Sequence, residues 1–361
     1  MSRDVLILGG ARTAMAEYSG TPGFGLFRDV SAIELGAAAI RGALAKTGVR
    51  PEEVEHVVMG NALQTSSDAI YGARHAALRA GLPISVPALT VNRLCGSGLE
   101  AAATCARMIQ LGEARVTVAG GMENLSQAPF VMRGVREGVR FGSVPAVEDL
   151  LFAALRDPFC GLFMAQTAER LAAKFGISRE AQDEFAYRSH SLGARAVKEG
   201  TFAEEIVPLA VKAGGREIAV DRDDHVKPET SLEALAKLRP AFGKDGTVTA
   251  GNASGIVDGA AALLLASEDW ARERGLRPLA RIRSHAVAGV PPDLMGIGPV
   301  PAIRDAAKKA GVGVEGIDLF EINEAFAAQY LAVEKDLGLD RAKVNVNGGA
   351  IALGHPLGAT G

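Results

Sequence analysis

Three polar side chains stand where an apolar, strand-like run gives way to glycines or to a helix-like stretch. They are Cys95 in "LTVNRLCGSGLEAAATCARMIQ", Asn323 in "INEAFAAQY" and His355 in "NGGAIALGHPLGATG". A thiol at a helix N-terminus meets unsatisfied amides and the positive end of the helix dipole, which favour a thiolate over the free-cysteine pKa of ~8.5. The neighbouring glycines would let a substrate carbonyl approach the backbone. A buried structural cysteine is the alternative. Cys105 lies ten residues further along the same helix, roughly 15 Å away at ~1.5 Å per residue, and cannot share the chemistry of Cys95.

A thiol nucleophile needs a base, and the chain has six histidines: His56, His75, His190, His225, His285 and His355. His355 alone lies in a Gly-rich loop, where Pro356 biases its backbone away from helix. A hydrogen-bonded loop histidine is the other reading. Asn323 stands where a carboxamide can hold a water or an oxyanion, or where it simply caps a helix. Loops at the carboxyl ends of α/β strands converge on one crevice, so three such junctions support one another.

The elements that must position them alternate. "DVLILGG", "VEHVVMGN", "PALTVN" and "ARVTVAGG" read as strands, while "SAIELGAAAIRGALAKTG" and "GLEAAATCARMIQLG" have helical spacing. Two stretches near the C-terminus echo this order: "GPVPAIRDAAKKAGVGVEGIDLFEINEAF" follows the outline of "ELGAAAIRGALAKTGVRPEEVEHVVMGNAL", and "KVNVNGGAIALGHPLG" that of "LTVNRLCGSG". The echoes predict a duplicated α/β fold with packed halves. We expect an N-terminal half over 1–125, an inserted loop or lid-like segment over 126–255 and a C-terminal half over 256–361. Within the insertion, "SREAQDEFAYRSHSLGARAVKEG" reads as a long helix capped by Ser178, with His190 on its face.

Composition narrows the functional classes. Hydrophobic residues make up 48% and aromatics 5% with 43 glycines, so small aliphatic side chains must build a close-packed core. A net charge of −3 without a basic cluster argues against a nucleic-acid surface. Cys95, Cys105 and Cys160 form neither a disulfide framework nor a zinc pattern, which predicts a reducing cytoplasm and no metal. The opening "MSRDVLILGGARTAM" is neither a signal peptide nor a spanning helix, and no membrane role is expected. The lone "GGAR" lacks the spaced glycines and distant acid of a dinucleotide site.

Taken together, "NRLCGSG", "TVTAGNASGIVDGAAA", "NEAFAAQ" and "NGGAIALGHPLGATG" resemble the thiolases, the acetyl-CoA acetyltransferases and 3-ketoacyl-CoA thiolases, from about Val5 to the last residue. The resemblance implies a layered αβαβα fold of two mixed-sheet halves. It also implies Cys95 as the acylated nucleophile, His355 as its base and Asn323 as the residue orienting a water beside the thioester oxygen. Coenzyme A thioesters, acetyl-CoA and 3-ketoacyl-CoA, would be substrates rather than cofactors. By the family pattern Ala250 and Ser254 touch the pantetheine arm, Ala241 and Phe242 lie near the nucleotide part, and Lys227 occupies a position usually basic there. Ala325 and Phe326 would line the same tunnel, while Met164 and Met295 match apolar positions near the acyl pocket. A homodimer or homotetramer is implied, meeting near "LQTSSDAIYGARHAALRAG" and through the loop "VMRGVREGVRFGS".

Two departures stand out. Phe163 occupies a position where members specialised for acetoacetyl substrates carry histidine, so an acetyl-only preference does not follow. Thiolases also have a second reactive cysteine in a Cys-x-Gly motif beyond "GHPLGATG", which neither Cys105 nor Cys160 matches; we expect a C-terminally incomplete sequence of a working thiolase. A non-catalytic acyl-CoA binder is one alternative. An acyl-carrier-protein condensing enzyme is another, but that class resembles a Cys-His-His set, and Asn323 takes the place of one histidine.

Overall fold

The computed structural model describes residues 4–360. Its strands are β1 (Val5–Arg12), β2 (Ala16–Glu17), β3 (His56–Gly60), β4 (Ala88–Val91), β5 (Val116–Glu123), β6 (Phe130–Met132), β7 (Val147–Asp149), β8 (Arg156–Asp157), β9 (Leu162–Phe163), β10 (Leu209–Ala213), β11 (Arg216–Val220), β12 (Val257–Ser267) and β13 (Ala280–Ile282). The helices are α1 (Ala32–Thr47), α2 (Gly72–Arg79), α3 (Ser97–Leu111), α4 (Leu150–Ala154), α5 (Met164–Phe175), α6 (Arg179–Glu199), α7 (Leu232–Ala236), α8 (Glu268–Glu273), α9 (Pro299–Ala310), α10 (Ala327–Leu337) and α11 (Ala350–Leu353).

A mixed sheet in the order β13-β1-β12-β5-β3-β4 forms the frame, with β2 added to β12. The β3–β4 and β3–β5 pairs are parallel, and β12 runs antiparallel to both β1 and β5. Period-two alternation sends side chains to both faces of the sheet, and the central strands β5 and β12 are buried on both. Leu6, Leu8, Val116, Val118, Ala260 and Leu264 pack in one core with Ile33, Ala37 and Ile40 of α1. Val5, Val58, Ala119 and Leu265 pack in another with Ala101, Cys105 and Ile109 of α3. Alanine and glycine recur across this frame, as at Gly10–Leu263, Ala11–Ala262, Ala261–Gly121 and Ala262–Gly120, in keeping with the low aromatic content.

The expected boundary at residue 256 falls immediately ahead of β12. That strand nevertheless lies between β1 and β5, so residues 257–267 belong to the N-terminal sheet. Its long run of apolar and small residues needs a strand on each side, and only the first segment supplies both. Residues 126–255 form three small hairpins (β6–β7, β8–β9, β10–β11) and four helices. They are not a detached lid: Phe185 of α6 and Leu235 of α7 share a core with Ile322 and Tyr330, and Ile206, Val211 and Val220 join the core under α1. Ser178 caps α6 as expected, accepting the Ala181 amide, and His190 is buried on its inner face.

The apolar runs ahead of Asn323 and Gly348 read as strands in the sequence. Here they meet as a single parallel bridge between Phe320 and Val344. The Asn345 side chain takes over the ladder's role, accepting the Ile322 amide at 2.9 Å and donating to the Ile322 carbonyl at 2.8 Å. It does so from a left-handed backbone with φ +46°. Among the described residues no helix is long and apolar enough to cross a membrane.

Candidate active site

Cys95 sits two residues ahead of α3, after a turn clamped by side chains. The Asn92 Oδ1 accepts the Leu94 amide at 2.9 Å, while Ser97 Oγ accepts the Arg93 amide at 2.9 Å and donates to the Leu94 carbonyl at 2.6 Å. These bonds hold Leu94 at φ +48°, one of two non-glycine residues with positive φ among the described residues. A bulky residue pays for that conformation only where surrounding contacts over-determine it. Cys95 is half-buried as a residue, whereas Cys105 is fully buried and its thiol donates to the Val118 carbonyl.

The expected thiolate is not the resting state. Burial pushes the Cys95 thiol up to about 11, against a lowering contact from its own backbone amide, and the charge of Glu123 raises it further. Desolvation outweighs the helix terminus because the polar groups available are few and a carboxylate stands nearby.

His355 is buried and follows α11 rather than a strand. Its amide donates to the Gly255 carbonyl at 2.9 Å. Its Nδ1 meets Thr360 Oγ1, and Thr360 Oγ1 in turn donates to the Pro356 carbonyl at 3.5 Å. With the hydroxyl proton on that carbonyl, the oxygen accepts from Nδ1–H, and Nε2 is the unprotonated ring nitrogen. Asn323 Nδ2 donates to this Nε2 at 3.4 Å. Burial lowers the imidazole to about 4, so it is neutral at physiological pH. Asn323 is not the cap of α10, since Phe326 holds that position.

The loop after His355 closes against the Cys95 helix through glycines. A Cβ on Gly121 would lie 1.8 Å from the Gly358 carbonyl oxygen, and one on Gly98, the second residue of α3, 3.0 Å from that of Ala359. The 358–360 segment thus lies on β5 and the first turn of α3. Cys95 and His355 are not hydrogen-bonded to each other among the described residues, as is common before substrate binds. The other five histidines are held elsewhere: His75 by Asp68, His225 by Glu17, His285 by Arg107, His190 by the Lys227 amide and His56 by the Val57 carbonyl.

Several expected binding residues gather on one small core. Phe242, Ala253 and Phe326 pack with Ala165, Ala168 and Val248. Ser254 donates its amide to the Ala325 carbonyl at 3.0 Å, and Ala241 donates to the Val248 carbonyl at 2.8 Å. Ala250 is exposed; Met164 begins α5 half-buried, and Met295 is half-buried in the turn 292–297. Phe163 stacks between Phe152 and Phe242, with ring centroids at 4.5 and 5.1 Å. Lys227 is already engaged: its Nζ lies 2.8 Å from Glu17 Oε2 and 4.3 Å from the Phe24 ring centroid. Sequence reasoning missed Glu123, Asn92 and Thr360. The only local signal for Glu123 is an acid closing the otherwise uncharged strand "VTVAGGME".

A thiol on a strained turn, a neutral imidazole and a carboxamide on its unprotonated nitrogen are the candidate groups for thiol-dependent group transfer, carried by loops of an α/β sheet. Comparison with known proteins agrees over the whole chain. Residues 5–269 match the thiolase N-terminal domain and residues 276–361 the thiolase C-terminal domain. The chain is 50% identical over 99% of its length to the human mitochondrial 3-ketoacyl-CoA thiolase, covering 89% of that protein. It is also 50% identical to an acetyl-CoA acetyltransferase of Pseudomonas aeruginosa, covering 99% of this chain and 90% of that one. The crystal structure of the human enzyme superposes with a TM-score of 0.95 at 50% identity, covering 99% of this chain and 89% of that chain. The chain belongs to the thiolase family and is an acyltransferase.

Proposed function

We propose that this thiolase works through an acyl-thioester on Cys95, in two half-reactions with acetyl-CoA and 3-ketoacyl-CoA as substrates. In thiolysis the Cys95 sulfur attacks the 3-keto carbonyl and His355 Nε2 takes the thiol proton. The bond between the carbonyl carbon and the α-carbon breaks, and acetyl-CoA leaves after its α-carbon takes up the proton that His355 received. A second coenzyme A thiol then attacks the thioester, releases the shortened acyl-CoA and returns the proton to Cys95. Claisen condensation is the reverse. A thioester splits one difficult displacement into two easier ones, and each backbone donor aimed at the oxyanion typically contributes ~3 kcal/mol.

The observation that carries this reading is Asn323 donating to the unprotonated nitrogen of a buried, neutral His355, on the loop that closes over the Cys95 helix. Coenzyme A thioesters are substrates, and the chemistry calls for no separate cofactor. The coenzyme A arm would run along Ser254, Ala325, Phe326 and Phe242, which packing in one small core and the Ser254–Ala325 bond bring together, with Ala241, Ala250, Lys227, Met164 and Met295 as the further candidate contacts. The stacked Phe152, Phe163 and Phe242 rings suit an acyl chain longer than acetoacetyl.

Assembly and location extend the same proposal. The apolar tips Phe130, Met132, Phe141, Val144 and Val147 are exposed on one loop, in keeping with a homodimer or homotetramer. Three unpaired cysteines suit a reducing cytoplasm. The deciding experiment is intact and peptide mass after brief acetyl-CoA treatment. One acetyl group on Cys95, absent from Cys95→Ala and slow to form in His355→Ala, is expected. Thiolysis retained by Cys95→Ala would sink the proposal.

A further inference from the structure

Glu123 ends β5 with no solvent exposure and no cationic partner among the described residues. Its Oε1 accepts Asn61 Nδ2 at 2.9 Å and the Leu63 amide at 3.0 Å; its Oε2 accepts the Ala62 amide at 3.0 Å and the Gly358 amide at 2.8 Å. All four partners are donors. An ionised carboxylate accepts and never donates, so it satisfies the pocket, while a protonated acid or an amide would point a hydrogen at another hydrogen.

The donors belong to two loops that matter. From Ala62 the path runs to the nucleophile: its carbonyl accepts Asn92 Nδ2 at 3.0 Å, and Asn92 Oδ1 holds the Leu94 amide at 2.9 Å in the turn before Cys95. From Gly358 it runs to the base, since the Ala359 and Thr360 amides fold back on the Pro356 carbonyl at 2.9 and 3.2 Å and Thr360 meets His355 Nδ1.

We propose that Glu123 is a positioning residue whose ionised carboxylate fixes the Cys95 turn and the His355 loop in register. This rests on the roles of Cys95 and His355 proposed above. The charged or titratable groups facing it are Asp258 of β12, which disfavours its ionisation, and Cys95 itself. Burial pushes Glu123 up to about 7, so the register loosens as the pH drops through neutrality.

The test is single-turnover acetylation of Cys95 by acetyl-CoA, with kcat and KM, in wild type, Glu123→Gln, Glu123→Asp, Asn92→Ala and Cys95→Ala. Asn92 is exposed, so Asn92→Ala cuts the path without disturbing the buried carboxylate. Acetylation ~10- to 100-fold slower is expected in Glu123→Gln and Asn92→Ala, as a displaced nucleophile loses. KM for acetyl-CoA should stay within ~3-fold, and Glu123→Asp should recover part of the rate. The wild-type rate should fall below about pH 7, a limb kept by Asn92→Ala and lost in Glu123→Gln. Wild-type acetylation in a folded Glu123→Gln or in Asn92→Ala, with Cys95→Ala inactive, overturns this proposal alone; should Glu123→Gln not fold, Asn92→Ala decides. Turnover by Cys95→Ala overturns the nucleophile and this proposal together.

Discussion

Replacing Gly121 with alanine tests whether the base loop must lie flat on the sheet. Gly121 is paired on both sides, to Ala261 of β12 and to Gly60 of β3, so β5 cannot yield. The added Cβ would stand 1.8 Å from the Gly358 oxygen, 2.6 Å from its carbonyl carbon and 2.7 Å from Ala359 Cα. Ordinary contact begins at 3.4 Å, so the loop must retreat by 3.4 − 1.8, or about 1.6 Å. A misplacement of ~1 Å already costs ~100-fold in rate, near 2.7 kcal/mol of barrier, so kcat should fall at least that far. Overpacking should cost ~1–3 kcal/mol of stability. Gly98→Ala is the graded partner: its Cβ lies 3.0 Å from the Ala359 oxygen and asks for only about 0.4 Å, so a loss of a few-fold is expected. The assay is steady-state thiolysis beside thermal unfolding of both variants. Equal losses in the two, or a folded Gly121→Ala at wild-type kcat, would refute the claim that this seam sets the position of His355.

Two further outcomes follow from burial of the reacting pair. The folded state lowers His355 from 6.5 to about 4, so the unfolded chain takes up a proton first as the pH falls. The stability held by the neutral imidazole is complete above pH 6.5 and drains toward about pH 4, a total of about 3 kcal/mol at ~1.36 kcal/mol per unit. Urea unfolding near pH 7 and near pH 5 should therefore show His355→Gln losing about 2 kcal/mol less than wild type over that interval; equal losses would contradict it. Iodoacetamide labelling of Cys95 without substrate should rise about tenfold per pH unit from neutrality to about pH 10, following a thiol near 11. A plateau below pH 9 would mean that the amides at the entry to α3 outweigh desolvation.

The local settings of the candidate site residues were legible where their signals lie close in sequence. Glycines after Cys95, Pro356 after His355 and the polar exit before "AFAAQ" lie within a few residues of the groups they expose. Helix caps were legible for the same reason, as Ser178 illustrates. Glu123 was not, because its donors come from Asn61, Ala62 and Leu63 and from Gly358, brought together only by the sheet. The raised thiol was hidden likewise: a helix terminus is written in the sequence, but the desolvation that overrides it depends on what the chain packs around it. The place of β12 was missed because "GIVDGAAALLLAS" fixes a buried strand and says nothing about which neighbours bury it. Near Asn323 the error was one of mechanism, since a side chain, Asn345, supplies bonds that a ladder normally makes.

On the roles proposed for Cys95 and His355, the electrostatics call for a tightly held loop. With Cys95 near 11 and His355 near 4, moving the proton between them unaided costs roughly seven units, or ~10 kcal/mol. Attraction between the resulting thiolate and imidazolium returns about 4 kcal/mol at ~4 Å and an effective dielectric constant near 20. Forming the carbon–sulfur bond as the proton leaves offsets part of the difference. Such coupling works only if sulfur, nitrogen and carbonyl carbon are aligned before the step begins. A resting ion pair would tolerate a looser loop, because its charge would already be made. Neutral partners do not, and the carboxylate that locks their register also discourages a free thiolate when no acyl-CoA is bound. The same contacts thus set the rate with substrate and limit stray alkylation without it.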